Sequence, residues 1–124
     1  MNRISLNDVY KFILKNRRGR AFPGFSKIEI RYALGVALET KSIIVDTDEE
    51  GKEIFGVALG TPAPDYKLMH VNQILTIRKR GGMARLMQHF VKLFPGWEMQ
   101  AERHGNLVRY KDFNKLVKKV SIYG

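Results

Sequence analysis

Apolar positions recur at helical spacing in two stretches near the start of the chain. The first holds Leu6, Val9, Tyr10, Ile13 and Leu14, and the second Ile30, Ala33, Leu34, Ala37 and Leu38. Each follows a serine with an acid three residues on, Ser5 with Asp8 and Ser26 with Glu29. That pairing is the signature of a capping box at a helix start. Ile28, Ile30 and Tyr32 also alternate like a strand, but the length of the run favours a helix. Between the two helices, NRRGRAFPGF (16–25) carries two glycines and Pro23 and reads as a loop.

The pattern then changes. SIIVD (42–46) and IFGVALG (54–60) flank the polar turn TDEEGKE and predict a hairpin. TPAPDY, with two prolines, predicts a loop, and KLMHVNQILTI (67–77) a third, mostly apolar strand. After a basic turn, Met83, Leu86, Met87, Phe90, Val91 and Phe94 form a helical stripe that stops at Pro95-Gly96. WEMQA (97–101) predicts a short strand and ERHGN a loop. Tyr110, Phe113, Leu116, Val117 and Val120 predict a last helix, with Lys111, Lys115, Lys118 and Lys119 on its outer face. The order α-α-β-β-β-α-β-α predicts one α+β domain over residues 1–124, built around a single mixed, mostly antiparallel sheet. The strand–helix–strand unit at 67–101 should be a right-handed crossover with parallel strands.

Charge sharpens this picture. The net charge is +10, but it is divided: residues 1–41 carry nine Lys/Arg against three Asp/Glu, residues 42–66 one against six, and residues 67–124 twelve against three. Two basic regions flanking an acidic hairpin favour anionic partners such as nucleic acid, an acidic protein or a phosphorylated cofactor. The absence of cysteine excludes a disulfide framework and a thiolate metal site. No apolar run approaches the roughly 20 residues of a membrane span. The N-terminus shows no signal peptide, so a cytoplasmic location is expected. The three histidines are far apart, and the acidic stretch from Asp46 has Val57 where a calcium loop needs Glu, so no metal site is expected.

The chemistry-bearing stretch is TIRKRGGMARLMQHF (76–90), where a strand feeds a helix through three cations and two glycines. A helix start offers free N–H groups and partial positive charge, and glycines let backbone approach a ligand, so a phosphate or pyrophosphate fits there. The alternative is a solvated Gly-containing turn. Lys79-Arg80-Gly81-Gly82-Met83-Ala84 resembles the pyrophosphate loop Q/R-x-x-G-x-G/A of the GNAT superfamily of acyl-CoA-dependent N-acyltransferases, with Lys79 in the first place. The element order over residues 5–120 is similar to that family too, apart from a first strand that would have to lie at Met1–Ile4. The resemblance implies a GNAT-like fold binding acetyl-CoA or another acyl-CoA. Lys79, Arg80, Gly81, Gly82, Met83 and Ala84 would hold the pyrophosphate. The strand around Leu75 and Ile77 would line the pantetheine arm through its backbone, and Arg85 or a late lysine would meet the 3′-phosphate.

The resemblance also implies a proton donor on the last helix, best matched by Tyr110, and a general base. No Glu lies on the third strand. His70 is the nearest titratable group, with Asn72 and Gln73 as polar neighbours, and histidine suits base chemistry near neutral pH. Glu102 is a second candidate. Arg17, Arg18 and Arg20 suit an acidic acceptor or nucleic acid, and Phe22 and Phe25 could stack on a base or anchor the loop to the core. The expected function is acyl transfer to an amine of a small molecule or protein. The alternative is a catalytically inactive GNAT-like basic module that binds nucleic acid or an acidic protein. The acceptor and the oligomeric state are left open.

Overall fold

The computed structural model describes residues 4–17, 21–103 and 106–110, with 102, 103 and 106–110 described by backbone alone. Both capping boxes form. Ser5 Oγ accepts from the Asp8 N–H at 3.1 Å while the Asp8 carboxylate accepts from the Ser5 N–H at 2.9 Å, which starts α1 (Leu6–Asn16). Ser26 and Glu29 repeat the exchange at the start of α2 (Lys27–Glu39). These backbone donors hold the Asp8 and Glu29 carboxyls below their ordinary range. Helical rather than strand periodicity prevails in α2: Ile30, Leu34 and Ala37 are buried, while Ile28 and Tyr32 face outward.

The sheet has five strands in sequence order: β1 (Ile43–Thr47), β2 (Ile54–Ala63), β3 (Leu68–Thr76), β4 (Glu98–Arg103) and β5 (Asn106–Tyr110). β3 and β4 are parallel, as the strand–helix–strand spacing predicts, and the other neighbours are antiparallel. The fold is therefore α+β with one mixed, mostly antiparallel sheet.

Two expectations fail in detail. β2 runs on through Thr61-Pro62-Ala63, expected as loop, and only Pro64–Tyr66 turns, as a single 3₁₀ turn. Proline is tolerated there because β1 stops opposite Leu59, leaving Pro62 at an open edge. Similarly, residues 106–110 form β5 where a loop and a helix start were expected. The signal was a Gly-containing pair, His104-Gly105, between two strand-like runs, Glu98–Arg103 and Asn106–Tyr110. The helix expected beyond Tyr110, with its four lysines, lies outside the described residues.

α1 and α2 cover one face of the sheet, where Val9, Phe12, Ile13, Phe22, Ile30 and Leu34 meet Val57, Leu59 and Leu75. α3 (Gly82–Leu93) covers the other, with Leu86, Met87 and Phe90 against Ile44, Ala58, Met69, Val71 and Met99. Each fully buried side chain of this size contributes roughly 1.5–3 kcal/mol, against about 1 kcal/mol net for a hydrogen bond. The two apolar layers therefore dominate cohesion. Met83, expected in the buried stripe of α3, is exposed at its first turn.

Candidate functional site: a parting strand pair beside the start of α3

β3 and β4 pair only from Leu68↔Glu98 to Val71↔Ala101. Beyond that point they separate, and Glu102 and Arg103 pair with β5 alone. The cause lies at Asn72. β3 matches Leu59 with Gln73 and Gly60 with Val71, so Asn72 is an extra, bulged residue. A bulge bends its strand and increases local twist. It also shifts the side-chain phase. Met69 and Val71 pack under α3 before the bulge, and Ile74 packs there after it, while Leu75 turns to α1 and α2. Residues 73–76 are thus paired with β2 on one side, and 72–76 have no strand partner toward β4 among the described residues. At about 3.3 Å per residue that open edge is about 13 Å long. Among the described residues, no other segment hydrogen-bonds its backbone on that side.

The open edge leads directly into the basic turn. Gly81 caps α3 with φ 70°, a conformation that glycine adopts without strain. Gly82 is buried, and a Cβ there would collide with Thr76 Oγ1. Both glycines therefore have a local structural cause, whatever binds nearby. No side chain among the described residues caps the helix, so there the first-turn N–H groups of Gly82, Met83 and Ala84 find no side-chain acceptor.

The cations of the turn divide into two classes. Arg78 Nε donates to Asp46 Oδ2 at 2.6 Å and its guanidinium lies 4.3 Å from the centre of the Phe55 ring. Arg85 Nε donates to Asp46 Oδ1 at 3.2 Å. Asp46 is 1% exposed, so this shared carboxylate ties β1, the turn and α3 together. Arg85, expected at a cofactor phosphate, is committed to that pairing. Lys79 and Arg80, by contrast, are exposed and have no partner among the described residues. The role of Asp46 was missed in the sequence, although strand alternation puts it on the same buried face as Ile44.

The remaining sequence-derived residues scatter. Ala84 is buried, and Leu75 packs into the α1–α2 core. Ile77 lines a groove of about 590 Å³ between α1 and the β1–β2 hairpin. Their side chains do not converge on the turn, which leaves only the backbone role that the family resemblance implies for Leu75 and Ile77. Phe22 is 1% exposed and edge-to-face with Phe25 at 5.6 Å, so it anchors the loop and is closed to base stacking. Arg17 donates to the Phe25 carbonyl, and Arg18 and Arg20 lie outside the described residues. His104 also lies outside them, and the described residues hold no cluster of acids and histidines suited to a metal.

His70 in β3 and Tyr110 in β5 stand on strands separated by β4. His70 Nδ1 lies 3.4 Å from the nearly buried Gln100 Oε1, and the ring lines a second groove of about 440 Å³ between α2 and β2–β3. Tyr110 ends β5 opposite Met99, at the closed end of the β3–β4 pair. The proton-donor role rested on a helix start, and the residue stands in a strand instead. Glu102 is in β4, opposite Leu107.

No family model, curated protein or solved structure matches this chain. Among the described residues, no helix is long and apolar enough to cross a membrane.

Proposed function

We propose that this chain is an acyl-CoA-dependent N-acyltransferase that moves an acyl group, acetyl in the simplest case, from a thioester directly to an amine. The observation that carries this reading is the parting of a parallel strand pair beside an uncapped, cation-flanked helix start. An extended, amide-bearing arm finds backbone partners along an open strand edge. Phosphates find N–H donors and positive charge at a helix start. Lys79 and Arg80 would hold them, with the N–H groups of the first turn of α3. The thioester supplies the activated acyl carbon when bound. Among the described residues lining the neighbouring groove, His70 is the side chain with an imidazole lone pair to offer the amine.

Isothermal calorimetry with acetyl-CoA tests the reading, on the wild type and on Lys79→Glu/Arg80→Glu. Two exposed residues without partners can be reversed without loss of folding, unlike Gly82. Binding that weakens about tenfold or more in the variant is the expected result. A folded wild type that takes up no acetyl-CoA at about 1 mM would end the proposal.

One observation favours a second reading, a basic module without acyl transfer: among the described residues the site region carries two cations without partners and no carboxylate suited to act as general base. Under that reading Lys79 and Arg80 meet a nucleic-acid backbone or an acidic protein. Affinity for a single-stranded oligonucleotide should then fall steeply with salt, by a slope set by the phosphates contacted.

A further inference from the structure

The groove beside the bulge joins apolar walls to a few polar side chains. Phe25 and Tyr32 line it, with Val36 and Leu59. Its polar members are Thr61, His70, Asn72 and Gln73. Asn72 Nδ2 donates to Thr61 Oγ1 at 2.6 Å, and Gln73 Oε1 accepts from the Phe22 N–H at 2.7 Å. Neither an acid nor a lysine or arginine is among the described residues that line it. Tyr32 is 74% exposed and Val36 41% exposed, so an aromatic and an aliphatic wall stand open to a ligand. The groove reaches the open edge of β3 at its first residue, Asn72.

An ammonium group has no counter-charge in such a groove, and the chain as a whole carries +10. Moving a cation into an apolar groove without a partner is costly, whereas an apolar ring gains from burial. Acyl transfer also requires a neutral nitrogen, and the described lining of the groove offers no carboxylate base to strip an alkylammonium. Resting on the acyltransferase reading, we infer that the acceptor is an amine already uncharged at neutral pH and attached to an apolar body, an aromatic amine being the simplest form. The nitrogen lone pair forms the C–N bond to the thioester carbonyl carbon. The C–S bond breaks, sulfur leaves as thiolate, and the proton lost from nitrogen passes through water to give the thiol. The products are the N-acyl aromatic amine and free CoA.

Aniline and benzylamine make the test, because they differ little in size but only benzylamine is an ammonium ion at neutral pH. Product formation with acetyl-CoA, corrected for the uncatalysed rate, is measured for both. Saturation-transfer NMR of each amine with the protein alone gives a readout independent of turnover. A Val36→Glu variant adds a carboxylate to the groove on an exposed helix position. Expected are kcat/KM at least about tenfold higher for aniline, NMR contact with aniline but not benzylamine, and a shift of both preferences toward benzylamine in Val36→Glu by about tenfold. A wild type that binds acetyl-CoA and prefers benzylamine would overturn the inference and leave the acyltransferase reading standing. So would a preference that Val36→Glu does not move. A wild type that does not bind acetyl-CoA overturns both.

Discussion

The two halves of β3 share one strand and behave as two different structures. From Leu68 to Val71 it is paired on both sides, and Met69 and Val71 are buried against α3. From Gln73 to Thr76 it is paired on one side only among the described residues, and it ends in a turn held by an ion pair and a tight glycine contact. The first half is held by apolar burial, which tolerates little change in volume. The second is held by a few directed contacts, which leave an edge and two cations without partners among the described residues. A single extra residue, Asn72, separates the two regimes.

The comparison can be broken at its closed end first. Met69 is fully buried, and its sulfur lies 2.6 Å from where a Cβ on Gly60 would stand. Met69→Ala should cost about 2–5 kcal/mol, read as a lower urea midpoint at unchanged slope. At the open end, Gly82→Ala forces a methyl into Thr76 and should cost about 1–3 kcal/mol. Pairing it with Thr76→Ala should recover part of that loss in a double-mutant cycle, whereas simple additivity would show that the contact is not what demands the glycine.

Asp46→Asn comes next. Removing a buried charge partner can cost more, but Arg78 and Arg85 are 26% and 52% exposed and can turn to water. About 1.5–3 kcal/mol is expected by chemical denaturation, the range for lost hydrogen bonds to a charged group. Acid should loosen both helix starts and the hairpin. Asp8, Glu29 and Asp48 are held low, chiefly by backbone N–H donors, so their contribution is present above the unfolded values of 3.8 and 4.5 and is lost as pH falls below them. Tm followed from neutral pH downward checks this, and Asp8→Asn with Glu29→Gln, which removes two of the titrating groups, should flatten the decline. The smallest effect on stability belongs to Lys79→Glu/Arg80→Glu, within about 0.5 kcal/mol, because nothing in the described structure depends on either side chain. Its effect should appear in anion binding alone.

Much of the architecture was legible because local signals agreed with tertiary structure. Ser5/Asp8, Ser26/Glu29 and the Leu86, Met87, Phe90 stripe each placed a helix. What failed was where neighbours decide. Thr61-Pro62-Ala63 is a strand because β3 extends beside it, and Asn106–Tyr110 is one because β4 accepts it. The site was legible in position and not in composition. The turn at 78–82 stands where a strand feeds a helix, but sequence cannot show which arginines a buried carboxylate engages. Nor does the sequence mark Asn72 as a bulge, since that depends on the register against Leu59 and Gly60.

Strand order in the sheet equals strand order in the chain. Every pairing can therefore be made by a segment and the one just before it, and α3 bridges the longest gap between paired strands. Chains that assemble through such short closures reach their transition state with little loop entropy lost. A longer reach is made by the bond from the Phe22 N–H to Gln73, which joins the α1–α2 loop to the strand just past the bulge. Refolding of this molecule should depend little on the order in which its strands appear and most on when that loop finds β3, so substitutions at Gln73 would register in the rate of folding.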